Sequence, residues 1–339
     1  MTEKRIEGRE PFSPGFFPGG YYSFNQFLRD KFGEKVYRVA LDAGFTCPNV
    51  DGTVTTGGCV YCDNRSFSPN RRGPRSTIKE QVEKGIEFLS KRFRCDKFLA
   101  YFQAATNTHG KIERLQRLYN EALEHPQVVG LAIGTRPDSV PEPVLALLEN
   151  LAEDRFLCLE LGLQSAHDKS LVWMNRGHDV ASFSDAVLRA SGRGFHLCAH
   201  VILGLPGETH ADMMYTAEYL ARLPVDGVKI HNLHVVRDTP MEAMYHRGEI
   251  PLPSQKEYVV LVCDFLERLP AHVAIHRLNG DAPLEYLVAP LWCLEKNQLL
   301  QDIRNEFKKR GTGQGFLAGQ EKLAIPLLTK KSLPNLNMV

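Results

Sequence analysis

Long apolar runs are missing from this sequence, and with them most features that would carry a chain out of the cytoplasm. The N-terminus, MTEKRIEGREPFSPGF, has charge and proline where a signal peptide needs an apolar core, and no stretch reaches the length of a bilayer span. The chain is therefore expected to be cytoplasmic, with no membrane partner. Net charge is nearly absent too. The 41 Lys and Arg stand against 40 Asp and Glu, so the +1 balance gives no global sign of nucleic-acid binding. Disorder is excluded by a 43% apolar content ordinary for a packed core, and 339 residues suffice for one large α/β domain with an appendage. Closely spaced cysteines are scarce. Of eight, Cys95, Cys158, Cys198, Cys263 and Cys293 are scattered through mostly apolar stretches and read as buried thiols, which leaves no second metal cluster and no disulfide framework.

What is present is a trio. Cys47, Cys59 and Cys62 fall in the run CPNVDGTVTTGGCVYC. Two ligands separated by two residues can turn back on one centre, and Cys47 reaches it across an eleven-residue loop rich in turn formers. Gly57 and Gly58 permit a tight fold just before the second ligand. Electron-transfer clusters and structural zinc sites close their shells with four ligands. Three thiolates on a [4Fe-4S] cube would leave one iron open to an exchangeable ligand, expected to be S-adenosylmethionine (SAM). The other reading is a zinc site completed by His109, His200 or another distant residue.

After the first 20 residues, short β-branched runs alternate with amphipathic helical stretches, the pattern of a parallel sheet covered by helices. Strands are expected at 36–41, 97–102, 128–133, 156–161, 197–203 and 226–231, with helices at 76–93, 111–124, 141–151, 179–193, 210–222 and 240–247. Six units predict a partial (β/α)6 TIM-type barrel, open on one side, with a helical C-terminal extension. The expected layout is a lead segment at 1–34, the barrel at 35–250, a capping region at 251–310 and a mobile tail at 311–339. The capping region includes the apolar run HVAIHRL at 272–278. Two basic runs, Arg71, Arg72 and Arg75, and Lys308, Lys309 and Arg310, are candidates for solvated faces or phosphate contacts.

Five motifs in order, the cysteine run, YFQAATNT at 101–108, GTRPD at 134–138, LELGLQSAHD at 159–168 and HVILGLPGET at 200–209, make the chain resemble the radical SAM superfamily. The branch it resembles is that of the catalytic subunit of the elongator complex, and within it the small bacterial proteins described only as radical SAM proteins, similar also in the segment His231-Asn-Leu-His-Val-Val236. The likeness spans roughly residues 35–280. By this resemblance Cys47, Cys59 and Cys62 are the metal ligands, and Tyr61 flanks the adenine. Gln103, Ala104, Ala105 and Thr106 replace the family's Gly-Gly-Glu or Gly-Gly-Thr stretch beside the methionyl amine, without the charge of a Glu. Gln164 and Arg176 match a Gln and an Arg that contact the cofactor in the anaerobic coproporphyrinogen oxidase family, and His200 falls where that family has an Asp facing the ribose. His231, His234, His276 and Arg277 are the substrate-side candidates.

The resemblance implies reductive cleavage of SAM to a 5'-deoxyadenosyl radical, fed by an electron donor such as flavodoxin or ferredoxin. It implies tRNA as substrate, with the C5 substituent of a wobble uridine, of the aminomethyl or carboxymethylaminomethyl type, as the target. The chain is too short for the elongator subunit's acetyltransferase domain. A radical enzyme acting on a small molecule and a zinc-bound non-enzymatic scaffold are the alternatives.

Overall fold

The computed structural model describes residues 17–318. Its centre is a seven-stranded parallel sheet in simple chain order. The strands are β1 (Val36–Leu41), β2 (Lys97–Phe102), β3 (Val128–Thr135), β4 (Phe156–Gln164), β5 (His196–Leu203), β6 (Gly227–Asn232) and β7 (Ala274–Arg277). Adjacent order with helical crossovers is what right-handed strand–helix–strand units produce. The crossovers are α2 (Ile78–Phe93), α3 (Ile112–Leu123), α4 (Glu142–Asp154), α5 (Val180–Ala190), α6 (His210–Leu220) and α7 (Gln255–Arg268), while α1 (Phe24–Phe32) precedes the sheet and α8 (Lys296–Arg310) follows it. Capping boxes start α2 at Thr77–Glu80, α6 at Thr209–Asp212 and α7 at Ser254–Glu257.

Strand β4 shows how the sequence builds both faces. In FLCLELGLQ the side-chain period of two sends Leu157, Leu159, Leu161 and Leu163 outward into the main apolar core, while Cys158, Glu160, Gly162 and Gln164 face the other way. Each outward leucine is 1% exposed or less, so truncating one to alanine would cost about 2–5 kcal/mol. The inner face curls. Glu160 on β4 lies within 3.7 Å of Arg38 on β1, 2.7 Å of Tyr101 on β2, 2.8 Å of His200 on β5 and Lys229 on β6, and 3.6 Å of His276 on β7. A flat sheet could not bring side chains from both edge strands to one carboxylate; a half-barrel does. Phe24 of α1 plugs the lower end, stacked on His276 with ring centroids 3.7 Å apart and lying 5.7 Å from the Arg38 guanidinium.

The six expected strands and the partial barrel are present, and a seventh strand is added. The run HVAIHRL does not cap the open edge; its residues 274–277 pair in parallel with β6 and extend the sheet. The helix at 255–268 is the crossover that delivers it, so this part of the capping region is continuous with the barrel. The first eight residues of the expected mobile tail are held: Gly313–Gln314 pairs antiparallel with Phe17–Pro18, and the buried Gln314 amide donates to Pro270 O and Val273 O, each at 2.8 Å. The remainder of that tail, 319–339, and the first 16 residues of the lead segment lie outside the described residues.

Candidate active site

Loops following parallel strands gather at one face of a barrel. Here they enclose a cavity of about 450 Å³ whose walls include Cys47, Cys59, Cys62, His231, His234 and Arg277.

The cysteine loop is fixed by its own backbone and by the chain after β4. Val50 N donates to Cys47 O at 2.7 Å and Cys62 N to Cys59 O at 3.0 Å, turning each cysteine segment back on itself. Gly57 and Gly58 have φ of 82° and 75°, a region open to glycine at no steric cost. Asn49 is buried and its amide donates to Asn175 O (2.5 Å), Arg176 O (2.8 Å) and Cys59 Sγ (3.5 Å), while Asn175 Nδ2 donates to Gly58 O (2.7 Å). Arg176 points Nη1 at the same sulfur from 3.7 Å. Donors aimed at sulfur stabilise a thiolate, the form that binds metal.

Zinc fits these residues poorly. Zn–S bonds of about 2.3 Å in a tetrahedron place sulfurs roughly 3.8 Å apart. Among the described residues the groups whose donor atoms converge within 4.8 Å are Cys158–His196–His276 and Glu160–Cys198–His200, and the cysteine loop is not one of them. The donors aimed at Cys59 suit a thiolate ligand of an iron–sulfur cluster. The two histidines that might have completed a zinc site are engaged elsewhere: His109 with Asp51 at 3.0 Å and His200 with Glu160 at 2.8 Å.

The strand ends carry the next wall. Gln103, Ala105 and Thr106 line the cavity, while the fully buried Ala104 is not among its lining residues. Ala105 has φ 64° and Gln164 φ 75°, conformations that strain residues bearing a Cβ and that persist where surrounding structure enforces them. Asn64 Oδ1 accepts from Ala105 N at 2.9 Å, and Gln103 Nε2 donates to Phe67 O at 2.6 Å. Gly162 is required. A Cβ there would sit 2.5 Å from Arg176 Nη2 and 2.6 Å from Gln164 Nε2. Arg176 Nε donates to His178 Nε2 at 2.9 Å, and His178 is kept neutral, its pKa lowered to about 3 by burial and then by the Arg176 charge. Arg136 of the GTRPD motif is almost wholly buried, held by both oxygens of Asp138 and donating to Arg176 O at 2.7 Å. Glu208 of the GLPGET run accepts from Ser165 and Ser170, tying the turn after β5 to the loop after β4.

At the floor, Tyr101 OH donates to Glu160 Oε2, and Lys229 Nζ reaches both Tyr101 OH (2.6 Å) and Glu160 Oε2 (2.8 Å). Burial alone would neutralise Glu160, yet the Lys229 charge and the His200 and His276 contacts hold its carboxyl well below the usual range. His200 is lowered to about 4 by burial and then by Lys229, so its neutral Nε2–H donates to Glu160. His276 is not in the cavity wall. It lies beneath the floor, stacked on Phe24, with Nε2 2.9 Å from His196 Nε2, because β7 directs Arg277 rather than His276 toward the opening.

Tyr61, Gln103, Ala105, Thr106, Gln164, Arg176, His200, His231, His234 and Arg277 thus share one cavity with the three cysteines. Sequence reasoning missed Asn49, Arg136, Tyr101, Glu160 and Lys229. The visible signal was a charge interrupting an apolar strand, as in LELG and VKIH.

A parallel half-barrel with a three-cysteine loop above it defines a class, and sequence comparison gives the same answer. The chain matches the radical SAM superfamily over residues 52–220 and the radical SAM C-terminal domain over 225–309. It is 40% identical over 298 residues to the Bacillus subtilis protein YtqA, described as uncharacterized, covering 87% of this chain and 92% of that one. The chain belongs to the radical SAM superfamily, whose members bind a [4Fe-4S] cluster and SAM. A more distant relative is the tRNA uridine(34) acetyltransferase of Methanocaldococcus infernus, 27% identical over 204 residues, 59% of this chain and 36% of that protein. Among solved structures, Elp3 from the same archaeon superposes with a TM-score of 0.63 at 21% identity, covering 82% of this chain and 64% of that one, and shares its fold. No helix among the described residues is long and apolar enough to cross a membrane.

Proposed function

We propose that this protein is a radical SAM enzyme that remodels the C5 substituent of the wobble uridine in tRNA. The observation that carries the RNA part is the match to the tRNA uridine(34) acetyltransferase across more than half of the chain. In this reading Cys47, Cys59 and Cys62 hold three irons of the cluster. Arg176 and Gln164 face the cofactor from the strand β4 side, Tyr61 packs against the adenine, and Gln103, Ala105 and Thr106 border the methionyl amine. His200 has committed Nε2 to Glu160, which leaves its other ring nitrogen for a ribose hydroxyl. When bound, the cluster and SAM supply one-electron cleavage to a hydrogen-abstracting radical. The chain's own residues fix the reacting distance and exclude water, and a flavodoxin or ferredoxin delivers the electron.

One observation favours a small-molecule substrate instead. The basic runs are largely spent on internal partners: Arg71 binds Asp42 and Phe45 O, and Arg310 binds Asp264, Glu267 and Glu306. Comparing tRNA nucleosides from a deletion strain and its parent by mass spectrometry decides between the two. A changed wobble uridine is expected; an unchanged nucleoside profile leaves the small-molecule reading.

A further inference from the structure

Around the cavity floor four cations, Lys229, Arg277, Lys296 and Arg38, share two carboxylates, Glu160 and Asp281. Lys229 and Glu160 cancel at 2.8 Å. Among the described residues Arg277 has one long ion pair, 3.4 Å, to Asp281, whose other oxygen is taken by Lys296 at 2.9 Å. Arg38, under the floor, approaches Glu160 no closer than 3.7 Å. One carboxylate is shared by two cations above, and another cation waits below.

Donors around this floor also lack acceptors. His231 lines the cavity, and its buried Nε2 has no hydrogen-bond partner among the described residues. Burial, then the Arg277 charge, lowers its pKa well below the ordinary value, so the ring is neutral and can offer one N–H. His234 stands beside it, its Nδ1 near Asn232 O at 3.3 Å. The two rings meet over Gly280, where a Cβ would lie 2.8 Å from His231 Nδ1 and 3.1 Å from His234 Cε1. Gly280 is in turn fixed by its N–H to Asn232 Oδ1 at 2.9 Å. A side chain at this position would press on both imidazoles. Lys229 has three N–H donors and two hydrogen-bond partners among the described residues, which leaves one donor for a ligand at the floor.

We propose that Arg277, with His231 and the free proton of Lys229, forms a subsite for one carboxylate of the substrate. A guanidinium flanked by the neutral His231 N–H and by an ammonium already paired with Glu160 matches a planar monoanion, which accepts two parallel bonds from the fork. A phosphate dianion would call for a second unneutralised cation in the wall. The inference rests on the proposed function only in that the substrate's reacting group enters this cavity, and there it selects the carboxymethylaminomethyl substituent over the aminomethyl one.

The test uses the reconstituted holoenzyme and two synthetic anticodon stem-loops that differ only in the uridine C5 group, carboxymethylaminomethyl or aminomethyl. Fluorescence anisotropy should give at least about tenfold tighter binding of the carboxylated RNA. Arg277→Gln should bring the two to equal affinity, and Arg277→Lys should restore part of the preference. Equal affinity in the wild type, or a preference that survives Arg277→Gln, overturns the subsite. If neither stem-loop binds, the RNA reading fails and the subsite is judged on N-methylglycine against N-methylethanolamine. Only the former should raise the His231 ring titration by NMR, and only with Arg277 present; no response in the wild type overturns the proposal.

Discussion

Replacing Lys229 with methionine isolates the charge at the heart of the barrel. Lys229 Nζ lies 2.8 Å from Glu160 Oε2, with the two side chains 5% and 0% exposed. At an effective dielectric of 20, that separation corresponds to about 6 kcal/mol of attraction. Tyr101 and His200 still donate to Glu160 in the variant, so only part is lost. About 3 kcal/mol of stability should disappear, the lower end for breaking a buried pair. Urea unfolding of the reconstituted protein at pH 7.5, followed by circular dichroism, reads it, and Glu160→Gln in the Lys229→Met background should recover at least about 1 kcal/mol by removing the unpaired charge. The pH dependence follows from the sign of the shift. Glu160 is lowered in the folded state, so its contribution is complete above the ordinary carboxyl value of 4.5 and is lost as pH falls through the lowered one. Without Lys229 that lowered value rises, and protonation relieves the stranded carboxylate, so the deficit should narrow as the pH is taken from 7.5 toward 5. A loss under about 1 kcal/mol at pH 7.5, or a deficit indifferent to pH, would refute the reasoning.

Other outcomes follow from the upper wall. Cys59→Ala should remove iron loading and reductive cleavage of SAM, while Cys263→Ala, buried far along α7, should leave both intact when iron content and 5'-deoxyadenosine are measured. Gly162→Ala should drive Arg176 and Gln164 from their positions and weaken SAM binding at least about tenfold by equilibrium dialysis, with a melting temperature within a few degrees of wild type. Asn49→Ala removes donors to two buried carbonyls and a sulfur; it should cost about 1–3 kcal/mol and make the cluster bleach faster in air, followed by its visible absorbance.

The sheet could be read from the chain because strands such as LCLELGLQ alternate leucine with small or polar residues, and the helices between them carry clear apolar stripes. The seventh strand could not. AIHR places a histidine and an arginine in a four-residue ladder, and such a run is recognised only when β6 offers an unpaired edge. The cysteine trio was legible because its members are near neighbours in sequence, so local chain geometry alone brings them together. The floor was not. Arg38, Tyr101, Glu160, Lys229 and His276 come from five strands, and each by itself looks like the polar face of a half-covered strand. Only closure of the barrel makes them one network, and it also turned His276 downward while Arg277 reached the cavity. Ala104 belongs to the motif stretch 103–106, and only the folded chain shows it buried while Gln103, Ala105 and Thr106 line the cavity.

Mössbauer spectroscopy of protein reconstituted with iron-57, before and after adding SAM, tests the central claim most directly. A [4Fe-4S] signal in which one iron of the four changes its parameters on addition of SAM is the predicted result. Four irons that respond alike, or a colourless protein that carries zinc and no iron, would contradict a cluster held by Cys47, Cys59 and Cys62 with one position left open.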